Sequence, residues 1–130
     1  MPPEAVHVLV IDDDAERRQM IAAVLGGEGF AVAAVADGFS AIRTAGAQPY
    51  ALALVAVALP GMLDGAATVR QIRARQPWLK ALFTGEAAER PHRPAGDSDD
   101  FIAAPFHRRD LLGCVFELLQ RGNRERSRAS

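Results

Sequence analysis

Residues 8–14 read Val-Leu-Val-Ile-Asp-Asp-Asp, "VLVIDDD": four apolar residues that run directly into three carboxylates. A short apolar segment rich in Val, Leu and Ile reads as a strand. Its end matters for chemistry, because open α/β sheets hold their ligands outside the carboxyl ends of the strands. The same acids serve the next element, since Asp13 or Asp14 can cap a helix that carries Met20, Ile21, Val24 and Leu25 and stops at Gly26-Gly27.

The pattern repeats outward from this point. Apolar segments that read as strands start near Val6, Phe30, Leu52, Leu79 and Phe101, with helical patterns between them. A second helix follows Gly38, with Phe39 and Ile42 on one face. The third places Val69 and Ile72 inward and Arg70, Arg73 and Arg75 outward, and Pro77 stops it. The last runs from about Arg108 to Gln120, with Leu111, Leu112, Val115, Phe116, Leu118 and Leu119 as a broad apolar stripe. Strict alternation of strand and helix predicts an α/β domain over residues 1–120, a parallel sheet covered on both faces.

Two segments interrupt the alternation. In residues 86–100, "EAAERPHRPAGDSDD", Pro91 and Pro94 leave room for about one helical turn, which predicts a shortened or irregular fourth helix. Residues 121–130, "RGNRERSRAS", hold four arginines and no large apolar residue and read as a disordered basic tail.

Composition narrows the function classes. With 130 residues, 49% apolar and 24% charged, the chain suits one globular domain, and a net charge of −1 supplies no field that favours nucleic acid. One cysteine, Cys114, excludes an internal disulfide and suits a reducing, cytoplasmic setting; it reads as an inert buried thiol. The apolar run from Tyr50 to Leu59 is far short of the roughly 20 residues a membrane helix needs. His7, His92 and His107 are too scattered for a metal triad, and Trp78 reads as packing at a strand entrance.

The strand exits carry the functional question. The first ends in Asp12-Asp13-Asp14, the fourth in Thr84-Gly85 and the fifth in Ala103-Ala104-Pro105-Phe106, whereas the third, "LVAVALPG" at residues 54–61, has no polar side chain at all. Together with Pro-Gly-Met and a following Asp-Gly after the third strand, and "FIAAPF" followed by a Leu-Leu helix, these motifs resemble a response-regulator receiver domain from Val6 to Leu119.

That resemblance implies a flavodoxin-like, doubly wound sheet of five parallel strands. It also implies a phosphorelay role, in which an Asp at the end of the third strand takes a phosphoryl group from a histidine kinase as an acyl phosphate. The matching position here is Ala56, and the position of the lysine that neutralises the phosphoryl oxygens is Ala104. Asp12 and Asp13 match the acidic pair that holds Mg²⁺, and Thr84 and Phe101 match the switch pair. The resemblance further implies a cis Ala104-Pro105 bond. Leu63, between Met62 and Asp64, is an extra residue in the loop.

A methyl group has no lone pair with which to attack phosphorus, and Val57 and Ala58 supply no substitute. The expected reading is therefore a degenerate, stand-alone receiver that is not an enzyme, is not phosphorylated at the usual position and acts through protein contacts. A histidine kinase, a phosphotransfer protein, another regulator or a second copy would be the partner, with no nucleic acid and no membrane. Alternatives are phosphorylation of another acid such as Asp64, or a small-ligand or metal sensor built on the leftover acidic pocket. Two adjacent carboxylates with water can hold Mg²⁺ weakly, so no cofactor is required, and an added carboxylate at position 56 should tighten that ion. Read without the resemblance, Asp12 to Asp14 are a strand end and a cap, Thr84 is a strand residue and Phe101 is core. A shortened fourth helix should uncover apolar surface around Phe101, Leu111 and Val115, and whichever of these is exposed is the candidate interface for a partner or a second copy.

Overall fold

The computed structural model describes residues 5–91 and 98–129, with side chains as far as residue 121. Five parallel strands, β1 (His7–Ile11), β2 (Ala31–Val35), β3 (Leu52–Ala56), β4 (Lys80–Gly85) and β5 (Asp99–Ala103), form one sheet in the order β2-β1-β3-β4-β5. Helices α1 (Ala15–Gly27), α2 (Gly38–Ala45), α3 (Gly65–Arg73) and α4 (Arg108–Ala129) connect or follow them. This is the flavodoxin-like order, in which the chain reverses direction across the sheet between β1 and β3.

Strand alternation divides the core in two. Val8 and Val10 of β1 face α1 and α4 and pack with Ile21, Leu25, Leu54, Leu82, Leu111 and Val115. Leu9 and Ile11 point the other way, toward α2 and α3, among Ala41, Ala45, Val55, Val69 and Ile72. All five residues of β3 are buried, because it is the central strand and is covered on both faces.

The helix starts follow from local carboxylates. Asp14, Asp37 and Asp64 each accept a backbone N–H three residues on, from Arg17, Ser40 and Ala67, at the starts of α1, α2 and α3. These bonds favour the charged form and hold the Asp14 and Asp37 carboxyls below their ordinary value.

Several expectations need correction. Among the described residues between β4 and β5 there is one 3₁₀ turn, Ala87–Glu89, which ends before Pro91; Pro94 and the rest of 92–97, His92 among them, lie outside the described residues. The last helix, by contrast, does not stop at Gln120. Its backbone continues to Ala129 through the expected tail, since Arg and Glu are good helix formers and need no apolar face to extend an existing helix. Phe39 is 58% exposed, because α2 is short and turns Gly38, Ala41 and Ala45 inward instead. Arg73 is not simply solvated: it donates to the Leu79 carbonyl at 2.9 Å and pairs with Asp99 on the edge strand.

The interface candidates are also overturned. Leu111 and Val115 are 0% exposed and Phe101 is 7% exposed. They are covered because Leu111 and Val115 lie on the sheet-facing side of α4 and the Arg90 guanidinium lies 4.7 Å above the Phe101 ring. Phe116, one residue past Val115, is the member of the stripe that emerges, 42% exposed and beside Phe30. Cys114 is half-buried and not fully buried as expected, and burial pushes its thiol up. No helix among the described residues is long and apolar enough to cross a membrane.

One buried polar residue was not foreseen. Gln76 accepts from the Tyr50 N–H at 2.8 Å and donates to the carbonyls of Ala45 at 2.8 Å and Gln48 at 3.2 Å, tying the end of α3 to the turn before β3. The neighbouring Trp78 indole, 52% exposed, donates to the Tyr50 carbonyl. Gln76→Ala orphans a buried donor and its acceptors, so a loss of about 2 kcal/mol is expected in denaturant unfolding. A loss within error would mean that water replaces the amide.

Candidate functional site

The carboxyl ends of the strands are joined by backbone bonds that place the candidate residues together. Ala56 of β3 stands beside Thr84 of β4, and Gly85 beside Ala103 of β5. Val57 N–H donates to the Thr84 carbonyl at 2.8 Å and Ala104 N–H to the Gly85 carbonyl at 2.7 Å, extending the register past the last strand residues. Ala104-Pro105 is cis.

Above these exits lies a cavity of about 420 Å³, lined by Asp13, Arg17, Ala56, Ala58, Thr84, Gly85, Glu86, Glu89 and Ala104. Its floor carries methyl groups at Ala56 and Ala104 and the buried Thr84, while its rim is acidic at Asp13, Glu86 and Glu89. Glu89 also folds back to accept the Glu86 N–H. Phe101 lies one strand away in the edge of the sheet and does not line the cavity. Asp64 is spent as the α3 cap and does not line it either.

Asp12 is the most constrained acid. Its side chain is 2% exposed, and both of its oxygens are engaged: Arg17 Nε donates to Oδ2 at 2.6 Å, while Arg17 Nη2 and the Asp14 N–H each donate to Oδ1 at 2.9 Å. Arg18 adds a bond to the Asp12 carbonyl at 2.8 Å. A bidentate guanidinium on a buried carboxylate is a strong charge-assisted pair. It holds the Arg17 guanidinium more firmly protonated than usual, chiefly through the hydrogen bonds to Asp12.

Sequence reasoning missed three charged lining residues, Glu86, Glu89 and Arg17, and of these Arg17 is the one bonded to Asp12. Its signal was available: with Asp14 as cap, residue 17 falls in the first turn of α1, directly over the exit of β1. Among the described residues, no three His, Cys, Asp or Glu side chains converge as a metal site.

The sequence model of the response regulator receiver domain matches residues 8–116. The chain belongs to the response-regulator receiver family. Among relatives of this receiver, the transcriptional regulatory protein ResD of Bacillus subtilis is 32% identical over 118 residues, covering 89% of this chain and 49% of ResD. TcrA of Mycobacterium tuberculosis, also a transcriptional regulatory protein, is 29% identical over 120 residues, covering 90% and 47%. The chain thus spans about half the length of the curated relatives it matches.

Solved receivers superpose closely. A response regulator receiver protein from Sinorhizobium medicae gives a TM-score of 0.80 at 26% identity, covering 90% of this chain and 96% of that one. The receiver domain of sensor histidine kinase PA1611 from Pseudomonas aeruginosa, solved with a magnesium ion coordinated in its active site cleft, gives 0.71 at 30% identity, covering 91% and 97%.

Proposed function

We propose that this receiver of a two-component system carries no phosphoryl group at the end of β3 and signals through protein contacts that do not require one. The observation that carries the reading is Ala56. It is the last residue of β3, it lines the cavity, and its methyl group cannot form an acyl phosphate. Ala104 across the cavity supplies no cation for phosphoryl oxygens, and the nearest guanidinium is committed to Asp12. Paired absence of nucleophile and cation is self-consistent, since neither has a role without the other.

The partner is a signalling protein of the same kind of pathway: a histidine kinase, a phosphotransfer protein, another regulator or a second receiver. Intact-mass spectrometry after incubation with acetyl phosphate and Mg²⁺ tests the reading. An unmodified mass is expected. A stoichiometric, hydroxylamine-labile phosphate adduct would falsify it, and mapping that adduct to Asp13, Glu86 or Asp64 would favour a non-standard acceptor.

A further inference from the structure

We infer that Arg17 is a built-in replacement for the divalent cation, a side chain that neutralises Asp12 from within and leaves the cavity insensitive to Mg²⁺. The residues present do not fit that ion. Mg²⁺ holds carboxylate oxygens at about 2.0–2.1 Å in near-octahedral geometry and relies on one or two carboxylates. Here Asp12 is the only acid of the cluster whose carboxylate is buried, and Arg17 approaches each of its two oxygens. Asp14 is turned away to cap α1, and the third oxygen donor that would stand at the end of β3 is the Ala56 methyl.

Charge and access agree with the geometry. The Asp12 side chain is 2% exposed with Arg17 on both of its oxygens, and the Arg17 side chain is 32% exposed, so of the pair it is the arginine that solvent reaches. A dication that reached the remaining Asp13 would sit against a fixed positive charge. Nor is the pair a loose surface contact that an ion could displace cheaply. Opening it leaves a buried carboxylate with the Asp14 N–H but no counter-charge, which is strongly unfavourable. Arg17 therefore positions the acid and supplies the neutralising charge permanently, where a bound ion would do so only at sufficient concentration.

The test reads cation binding and so stands apart from the phosphoacceptor reading, whose test reads a covalent adduct. Wild type, Arg17→Met, Ala56→Asp and the double variant are titrated with MgCl₂ by calorimetry and by thermal unfolding. The wild-type Tm should not move with Mg²⁺, whereas Arg17→Met should melt lower without the ion and recover part of the loss with it. Against the expectation from carboxylate count alone, Ala56→Asp should gain little while Arg17 stays in place, and the double variant should bind about tenfold tighter or more than Ala56→Asp. Arg17→Gln, which retains a donor to Asp12 without the charge, provides a second variant should Arg17→Met not fold, and it too should become Mg²⁺-responsive. Wild type stabilised by Mg²⁺ as much as the Arg17 variants, or Ala56→Asp binding as tightly as the double variant, would overturn the inference.

Discussion

Leu111→Asp is expected to abolish the cooperative unfolding transition of this receiver. Leu111 is fully buried where α4 meets the sheet, packed in the cluster of Val8, Val10, Leu54 and Leu82. Truncating a buried Leu to Ala costs about 2–5 kcal/mol by itself. A carboxylate adds the cost of an unpaired buried charge, several kcal/mol more. The sum approaches the roughly 5–15 kcal/mol that holds a whole domain together. Circular dichroism against temperature checks it, and a transition within a few degrees of wild type would mean that α4 is not seated as described. Phe116→Asp, two-fifths exposed, should lose only about 1 kcal/mol through its contact with the Phe30 ring. Association measurements on this face therefore need Phe116, because a loss of binding in Leu111→Asp would report unfolding.

The contrast between these two neighbours shows where sequence reading succeeds and where it stops. The stripe on α4 is visible as a period, and the period correctly pairs the helix with a sheet. It does not say which edge of a broad stripe faces outward, since that depends on the rotation of the helix against strands far away in the chain. The same limit explains Phe39. The strands and the first cap were legible because each is fixed within a few residues: Asp14 caps α1 with a bond only three positions long, and Asp37 and Asp64, unmarked in the sequence, cap α2 and α3 in the same way. The short turn at Ala87–Glu89 was legible for a similar reason, because Pro91 acts locally. The extension of α4 was not, since an arginine-rich segment reads equally as a solvated helix or as a tail.

The site divides along the same line. Ala56, Thr84 and Ala104 stand at strand ends that the sequence shows, the resemblance supplies the roles of those positions, and parallel register brings them together. Arg17, Arg73 and Gln76 carry no such signal, because charged and polar residues on amphipathic helices are usually solvated. What marks them is the partner. Arg73 reaches Asp99 and Gln76 reaches Ala45, separations of 26 and 31 residues that no local window contains. Arg17 lies only five residues from Asp12, yet the strand-to-helix turn between them hides the approach from any single-period pattern.

Gly65→Ala is the other substitution expected to act strongly, through backbone and not through core volume. Gly65 opens α3, is buried, and donates its N–H to the Val57 carbonyl at 3.0 Å, which draws the helix start down onto the exit of β3. A Cβ there would lie far inside contact distance of the Ala56 carbonyl oxygen and 3.3 Å from Val55 Cγ2. A flexible side chain could yield, but the obstacle is the backbone of the central strand, held on one side by β1 and on the other by β4. Either α3 lifts and loses its bond to Val57, or β3 shifts and disturbs the floor of the cavity. Overpacking typically costs about 1–3 kcal/mol, and a backbone obstacle places this case near 3. That corresponds to a fall in Tm on the order of 10 °C. Gly113→Ala in α4 is the matched control, because nothing lies within 4 Å of its Cβ position. At an exposed position inside a helix, the same added methyl should stabilise by about 0.5–1 kcal/mol. Opposite signs for one chemical change, read by thermal melts of the two variants, are the expected result; a Gly65→Ala protein as stable as wild type would show that α3 does not approach the end of β3 so closely.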